Sequence, residues 1–483
     1  MAEIKTDVFS LEDVDNAVHC LRAGKAAGID RLTAEHILFS HPSLIIHLHR
    51  LFNLLMKHGC VPSQFGQGIV IPLVKDKHGN LSDSDNYRGI TVSCVISKLF
   101  EHCLMNKYGL YLYSSDLQFG FKKQLGCSPP LFILQQVVKY FTSRGSTVYV
   151  TAVDASKAFD RLDHRILFDK LIRRNIPYCF VAILRDWYSK LTSVVRWNGI
   201  LSTSFAVTCG VRQGGILSPF LFNVYVDEQI ELLRDSGYGC YVNSMFIGCL
   251  MYADDLLLLS PTVGGMQAFL HICDSYGSSN NIVFNTKKTT CSVVGNARNN
   301  DVLLLLNNQK VPVVETFKYL GVKFVAKNVL CVDVPSIKRK FYAACNSVLY
   351  KCRSSCETVQ VHLISSFCLP LLIYLIGAFE FSQSSLRELD VCWNDAFRSI
   401  FHLNRWESVK LIQYFCGKMD IFHYYDLQRW KFLSSVCIKI PFFHKFLAAL
   451  EVQFHTRSLL MMKYNECRSF GVSVFRHFEA VVL

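Results

Sequence analysis

Phe246-Ile-Gly-Cys-Leu-Met-Tyr-Ala-Asp-Asp-Leu-Leu-Leu-Leu-Ser260 is an apolar run broken once, by the adjacent carboxylates Asp254 and Asp255. Apolar residues on both sides predict two buried strands with the Ala253-Asp254-Asp255 step as the turn between them. Side chains alternate along a strand, so neighbouring aspartates at a hairpin tip point in different directions, one into a shared site and the other beside it. A buried ionised carboxylate is costly unless something neutralises it, and a divalent cation is the usual partner of hard oxygen ligands. Taken alone, Asp-Asp between apolar runs is more often a plain surface turn. The rest of the chain has to decide between the two.

Upstream, the β-branched run Thr147-Val-Tyr-Val-Thr-Ala-Val153 reads as a strand closed by a third carboxylate, Asp154, just ahead of a helical stretch. Strand ends are where sites form in mixed sheets. Asp is also a favoured helix N-cap, which is the plainer role for Asp154. Three acids from two strand elements are what a two-metal phosphoryl-type transfer requires, since acidic ligands must bridge ions about 3.5–4 Å apart. Spacing alone does not bring them together.

At 483 residues the chain is long enough for two or three domains. Its 51 basic and 38 acidic residues give a formal charge of +13, which favours a polyanionic partner, nucleic acid before an acidic membrane. The 20 cysteines have no paired spacing and read as reduced thiols, so the expected location is nucleus or cytoplasm, not secreted. From Thr358 to Phe379 there is no Asp, Glu, Lys or Arg, a length that could span a bilayer. Gln360, His362, Ser365, Ser366 and the central Pro370 favour a buried helix pair instead, and no membrane partner is expected.

Around these features the periodicity predicts helices within 11–58, at 96–108, 164–174, 177–191 and 217–233. Strands are expected at 69–74, in a hairpin around Asn198-Gly199, at Val283, at 291–294 and at 319–324. Beyond about residue 335 the pattern is mainly helical.

Taken in order, the segments resemble the motifs of reverse transcriptases. Ala152-Val-Asp-Ala-Ser-Lys-Ala-Phe-Asp160 looks like motif A and Cys209-Gly-Val-Arg-Gln-Gly-Gly-Ile-Leu-Ser-Pro-Phe-Leu-Phe-Asn223 like motif B. Tyr252-Ala-Asp-Asp255, Asn285-Thr-Lys-Lys-Thr289 and Phe317-Lys-Tyr-Leu-Gly321 resemble motifs C, D and E. Asn86-Tyr-Arg-Gly-Ile-Thr91 and Ser97-Lys-Leu-Phe-Glu101 are similar to the fingers motifs, with Gly89 where the non-LTR (long interspersed) retrotransposon branch usually has Pro. Gly24-Lys-Ala-Ala-Gly-Ile-Asp30 resembles that branch's extra N-terminal motif. A single Tyr-Ala-Asp-Asp is a weak signal, but this ordered series is a strong one.

The resemblance implies an α+β right-hand polymerase. Residues 1–54 would be a helical N-terminal extension, 55–325 the fingers and palm, and 326–483 a helical thumb and C-terminal region. It implies an RNA-directed DNA polymerase that adds deoxynucleoside triphosphates to a DNA or RNA primer on an RNA template. Asp154 and Asp254, assisted by Asp255, would hold two Mg²⁺ ions, with Mn²⁺ as an alternative. Lys75 and Arg88 would clamp the triphosphate. Phe159 would be the steric gate against a 2′-hydroxyl, and Gln213 with Gly214 would approach nucleotide and template. Lys288 would be the general acid for pyrophosphate, and Tyr319, Leu320 and Gly321 the primer grip. Outside the motif, Phe159 would be an ordinary core ring, Lys75 and Arg88 solvated charges, and 319–321 a simple hairpin.

Members of that branch usually carry an endonuclease ahead of this point, and none is expected here. Cys352, Cys356, His362 and Cys368 do not have zinc-knuckle spacing. Arg398, Arg405 and Arg429 lie among Trp393, Phe397, Trp406 and Trp430, a mixture that suits either nucleic-acid stacking or amphipathic packing. The alternatives are an RNA-dependent RNA polymerase, a group II intron-type maturase, and a catalytically silent retrotransposon-derived nucleic-acid-binding protein.

Overall fold

The computed structural model describes residues 8–454 apart from 78, 124, 297–301 and 440. In chain order the strands are β1 (Gln67–Val74), β2 (Tyr87–Ser93), β3 (Val148–Asp154), β4 (Thr192–Trp197), β5 (Ile200–Leu201) and β6 (Phe205–Ala206). There follow β7 (Tyr241–Val242), β8 (Met245–Phe246), β9 (Cys249–Tyr252), β10 (Asp255–Ser260) and β11 (Thr290–Val294). Last come β12 (Leu305–Leu306), β13 (Gln309–Lys310), β14 (Thr316–Tyr319), β15 (Val322–Ala326) and β16 (Leu330–Val332). With the helices between and after them the class is α+β, as expected.

The chain weaves between two compact units. The first takes Met1–Phe121, Asp154–Asp235 and His271–Asn285, and the second Lys122–Val153, Ser236–Leu270 and Thr286–Leu483.

In the first unit β1 pairs antiparallel with β2 and parallel with β4, and β4 carries β5 and β6. The Asn198-Gly199 turn forms as expected, both residues having positive φ, which the favoured hairpin turn requires. Behind this sheet Phe52, Phe65, Phe100 and Trp187 form a buried aromatic cluster with ring centroids 5.1–6.1 Å apart. The helix Leu11–His19 begins with a capping box between Ser10 and Asp13. The helix Ser43–His58 stops at Gly59, φ +65, a left-handed cap that glycine adopts without penalty.

In the second unit a four-stranded sheet has the order β11-β3-β10-β9. Two helices, Ser218–Asp235 and Val263–Ser279, punctuate its strands along the chain. Strand, helix, hairpin, helix, strand in that order is the split βαβ arrangement of ferredoxin-like sheets. Leu256, Leu257, Leu258 and Leu259 are all at most 2% exposed, so β10 is buried on both faces, as its unbroken apolar run implies.

From Val334 to Phe454 the described residues are mainly helical, as the pattern predicts, and they have a core of their own: Phe341, Ile364, Leu372, Leu389, Trp393 and Phe397 are buried together. The apolar segment is one candidate for a membrane-crossing helix by length and composition, Glu357–Ala378. It is divided into Glu357–Phe367, Leu369–Ile373 and Ile376–Ala378, with Pro370 in the first turn of the middle piece. Val361, Ile364, Leu369, Leu372 and Ile376 point into that core.

Three local expectations are corrected. Val283 is in no strand; its neighbour Phe284 makes only an isolated bridge to Ala155. Residues 319–324 are not one strand, because the chain reverses at Leu320-Gly321 between β14 and β15. The turn in the Asp-Asp hairpin is Ala253-Asp254, with Asp255 already in β10 and paired to Tyr252.

Candidate active site

Strand β3 ends at Asp154 and β10 begins at Asp255, and the two strands are neighbours in the sheet. Asp154 is half-buried, and its carbonyl accepts the Asn285 N–H at 2.7 Å. Asp254 is half-buried in the hairpin turn and Asp255 is exposed. Ala253 in that turn has φ +57, while Asp254 is not in the positive-φ region. Glycine is the usual residue at the first central position of such a turn, and an alanine there stores about 1–3 kcal/mol of strain. Among the described residues no three His, Cys, Asp or Glu side chains form a ready cation site. Cys352 and Cys368 are buried and Cys356 is exposed.

In the first unit Arg88, Lys75, Phe159, Gln213 and Gly214 lie around β2 and the loop 209–217. Arg88 is exposed on β2 opposite Leu73, and Lys75 follows β1 directly. The Lys75 ammonium donates to the Asp85 carbonyl at 2.8 Å, which holds it across the intervening loop. Phe159 is half-buried and stacked on Phe222, with centroids 4.1 Å apart and planes at 12°. Phe121 meets its edge at 5.9 Å. Phe159 is therefore a ring of fixed orientation. Gln213 donates from Nε2 to Asp160 at 2.9 Å, and its carbonyl accepts the Thr91 N–H at 2.7 Å. Gly214 has φ +123, and a Cβ there would stand 2.7 Å from the Thr91 carbonyl oxygen. Glycine is required at that position by both conformation and space.

That loop is held from behind by a residue the sequence quoted only as part of a motif. Glu101 is 4% exposed on the helix Val95–Tyr108. Its carboxylate accepts the Ile216 N–H, the Leu217 N–H at 3.4 Å and the Arg212 guanidinium at 3.4 Å. Arg212 also donates to the Phe65 carbonyl at 3.0 Å and lies 5.5 Å from the Trp187 ring centroid. His164 secures the loop's start by a 2.7 Å bond to the Gly210 carbonyl. Burial pushes that imidazole below its ordinary pKa.

In the second unit Lys288 is exposed two residues before β11. Tyr319 is buried, its hydroxyl donating to the Leu250 carbonyl of β9 at 3.2 Å. Leu320 and Gly321, with φ +46 and +83, make the turn that follows.

The mixture of arginines and aromatics after residue 390 is mostly packing. Trp393 and Phe397 are at most 1% exposed, and Arg429 is buried against the Phe379 carbonyl. Arg398 pairs with Asp395, and Trp430 is half-buried. Only Arg405 and Trp406 of that set are exposed.

Comparison with known proteins identifies the family. The chain is 28% identical over 268 residues to the retrovirus-related Pol polyprotein of the type-1 retrotransposable element R2 of Nasonia vitripennis, covering 54% of this chain and 25% of that one. Against the R2 polyprotein of Popillia japonica it is 24% identical over 390 residues, 78% of this chain and 53% of that one. Against the RNA-directed DNA polymerase from mobile element jockey of Drosophila melanogaster it is 22% identical, over 78% of this chain and 42% of that one. The chain thus spans between a quarter and about half the length of these relatives. Among solved structures, telomerase from Candida albicans in complex with a fragment of telomeric RNA aligns with a TM-score of 0.44 and 12% identity, over 79% of this chain and 63% of that one. The family model described as reverse transcriptase (RNA-dependent DNA polymerase) matches residues 75–324, from Lys75 through the turn at Leu320-Gly321, more than half of the chain. The chain belongs to the reverse transcriptase family.

Proposed function

We propose that this chain is the polymerising part of a non-LTR retrotransposon reverse transcriptase, adding deoxynucleotides to a primer 3′-hydroxyl on an RNA template. The observation that carries the reading is the adjacency of β3, ending in Asp154, and β10, beginning at Asp255. A helix-bearing crossover from β3 to β9 suits parallel strands, and the hairpin then reverses into β10. In this reading β10 would start at the end of the sheet where β3 stops, which would bring the acids to one edge.

Asp154 and Asp254, with Asp255 assisting, would hold two Mg²⁺ ions. Hard carboxylate oxygens suit magnesium, which takes one or two carboxylates and completes its octahedron with substrate phosphates and water. When bound, such ions favour deprotonation of the attacking hydroxyl and stabilise the leaving pyrophosphate. The protein's own groups do the rest. Lys75 and Arg88 bind the triphosphate, one as a point charge and one as a fork. The fixed Phe159 ring leaves no room for a 2′-hydroxyl, and Gln213 with Gly214 bring amide and bare backbone to the nucleotide. Lys288 donates a proton to the departing pyrophosphate, and the Tyr319-Leu320-Gly321 turn grips the primer.

In this reading 55–325 is fingers and palm, 326–483 thumb and C-terminal region, and 1–54 an N-terminal extension. The product is made in the nucleus or cytoplasm. Extension of a primer annealed to an RNA template tests it: extension should require Mg²⁺ or Mn²⁺, prefer dNTPs to rNTPs, and vanish in Asp254→Asn. Duplex binding by the wild-type chain without any extension would replace it with the silent nucleic-acid-binding alternative.

A further inference from the structure

Two leucines in the second unit hold backbone conformations that branched side chains avoid, and both adjoin one contact. Leu320 has φ +46 and Leu375 has φ +55. Residues held this way are rare outside glycine, asparagine and aspartate, and they persist where surrounding contacts over-determine them, often at functional sites. Tyr374 stands between the two. Its hydroxyl donates to the Leu320 carbonyl at 3.2 Å. Its ring edge and hydroxyl oxygen lie 3.4 Å from where a Cβ on Gly321 would be.

The turn it touches is closed by the Tyr319–Val322 pair. Two central residues with positive φ are the pattern that Asn-Gly supplies most easily. A leucine at the first position does not serve the turn itself. Immediately before it, Tyr319 ties the same hairpin to the Leu250 carbonyl of β9. The turn is therefore held at two points, by Tyr319 to β9 and by Tyr374 at the end of the helix Leu369–Ile373. All of it lies within one unit. A tyrosine that only filled a core would be buried; Tyr374 is 49% exposed and commits its polar atom to a strained carbonyl.

We propose that Tyr374 is a positioning residue for the primer end, fixing the Leu320-Gly321 turn that Tyr319 ties to the strand leading into Asp254. The identification of the ligand as a primer rests on the polymerase reading above. Tyr374 acts through the turn: with its hydroxyl in place, the grip on the 3′-terminal nucleotide is set in register with the Asp254 hairpin.

The test uses the full chain as wild type, Tyr374→Phe and Tyr374→Leu. Fluorescence anisotropy measures binding to an RNA–DNA duplex with a recessed primer end and to a blunt duplex of equal length. Tyr374→Phe keeps the ring and loses one hydrogen bond, so recessed-duplex binding should weaken about three- to tenfold. Blunt-duplex binding and the melting temperature should be unchanged. In extension assays the KM for primer–template should rise by the same factor, with the KM for dNTP unmoved. Tyr374→Leu should lose more on the recessed duplex. Equal weakening on both duplexes, no weakening on either, or a wild type that does not distinguish the two, would each overturn the proposal. A wild-type chain that prefers the recessed duplex yet adds no nucleotide would sink the polymerase reading and leave the Tyr374 comparison intact.

Discussion

Removing the Glu101 carboxylate should loosen the 209–217 loop far more than a surface charge change would. Glu101 is 4% exposed and the Arg212 side chain 10%, so neither group has much water to fall back on. In Glu101→Ala the Ile216 N–H loses its acceptor, which costs about 1–3 kcal/mol for a buried donor. Breaking a buried ion pair from one side costs about 3–5 kcal/mol. The two do not add in full, because Arg212 keeps the Phe65 carbonyl at 3.0 Å and the Trp187 ring. A net loss of about 3–4 kcal/mol remains, at the upper end for one substitution. The local assay is amide hydrogen exchange at Ile216 and Leu217, which should speed up on the order of 100-fold. Glu101→Gln, with one carbonyl oxygen left, should fall between. A double-mutant cycle with Arg212→Ala should give a coupling of about 1.5 kcal/mol or more. Exchange within threefold of wild type in Glu101→Ala, or strict additivity in the cycle, would refute the reasoning.

Gly214→Ala places a Cβ against the Thr91 carbonyl at a positive φ, so it should cost about 1–3 kcal/mol and raise the KM for dNTP, read by thermal melting and steady-state extension. Phe159→Val removes the ring stacked on Phe222, and ribonucleotide use relative to deoxynucleotide should rise about 10–100-fold in single-nucleotide extension. His102 and His164 both titrate below 6.5 in the fold, chiefly through burial, so the unfolded chain binds protons first as pH falls. Their contribution to stability is complete above pH 6.5 and declines below it toward their lowered values; denaturation midpoints at pH 7.5 and 5.5 should show the loss, and His164→Asn should reduce it. Ala253→Gly relieves the positive φ in the hairpin turn and should stabilise by a few tenths to about 1 kcal/mol in denaturant melts.

The Asp254 hairpin and the Asp154 strand were legible because each sets a charge against an apolar run, a contrast that only a turn or a strand end accommodates. Other elements were hidden by their own residues. The helix Ser128–Thr142 carries Pro129 and Pro130 in its first turn, where proline is tolerated but reads as a breaker. The helix Val263–Ser279 begins with Gly264 and Gly265, which lower its apparent propensity while tertiary burial sustains it. Strand β2 contains Gly89, and its regularity comes from seven register pairs with β1 that no local pattern reveals. Glu101 was visible only as a motif letter, since a glutamate on an amphipathic helix ordinarily faces water. The arginines near Trp393 and Phe397 matched a stacking surface in composition, but helical spacing turned both rings into the core. The adjacency of β3 and β10 is a property of strand pairing and not of spacing.

The Thr91 N–H donates to the Gln213 carbonyl while the Thr91 carbonyl fills the space a Cβ on Gly214 would need, so one residue of β2 meets two consecutive residues of the loop. A strand and a loop joined this way are a single mechanical part. Any shift that adapts the loop to a different base or sugar must carry β2, and Arg88 with it. Tolerance for odd substrates would then be gained or lost for both sides of the nucleotide at once, and variants that broaden selection without weakening phosphate capture should be scarce.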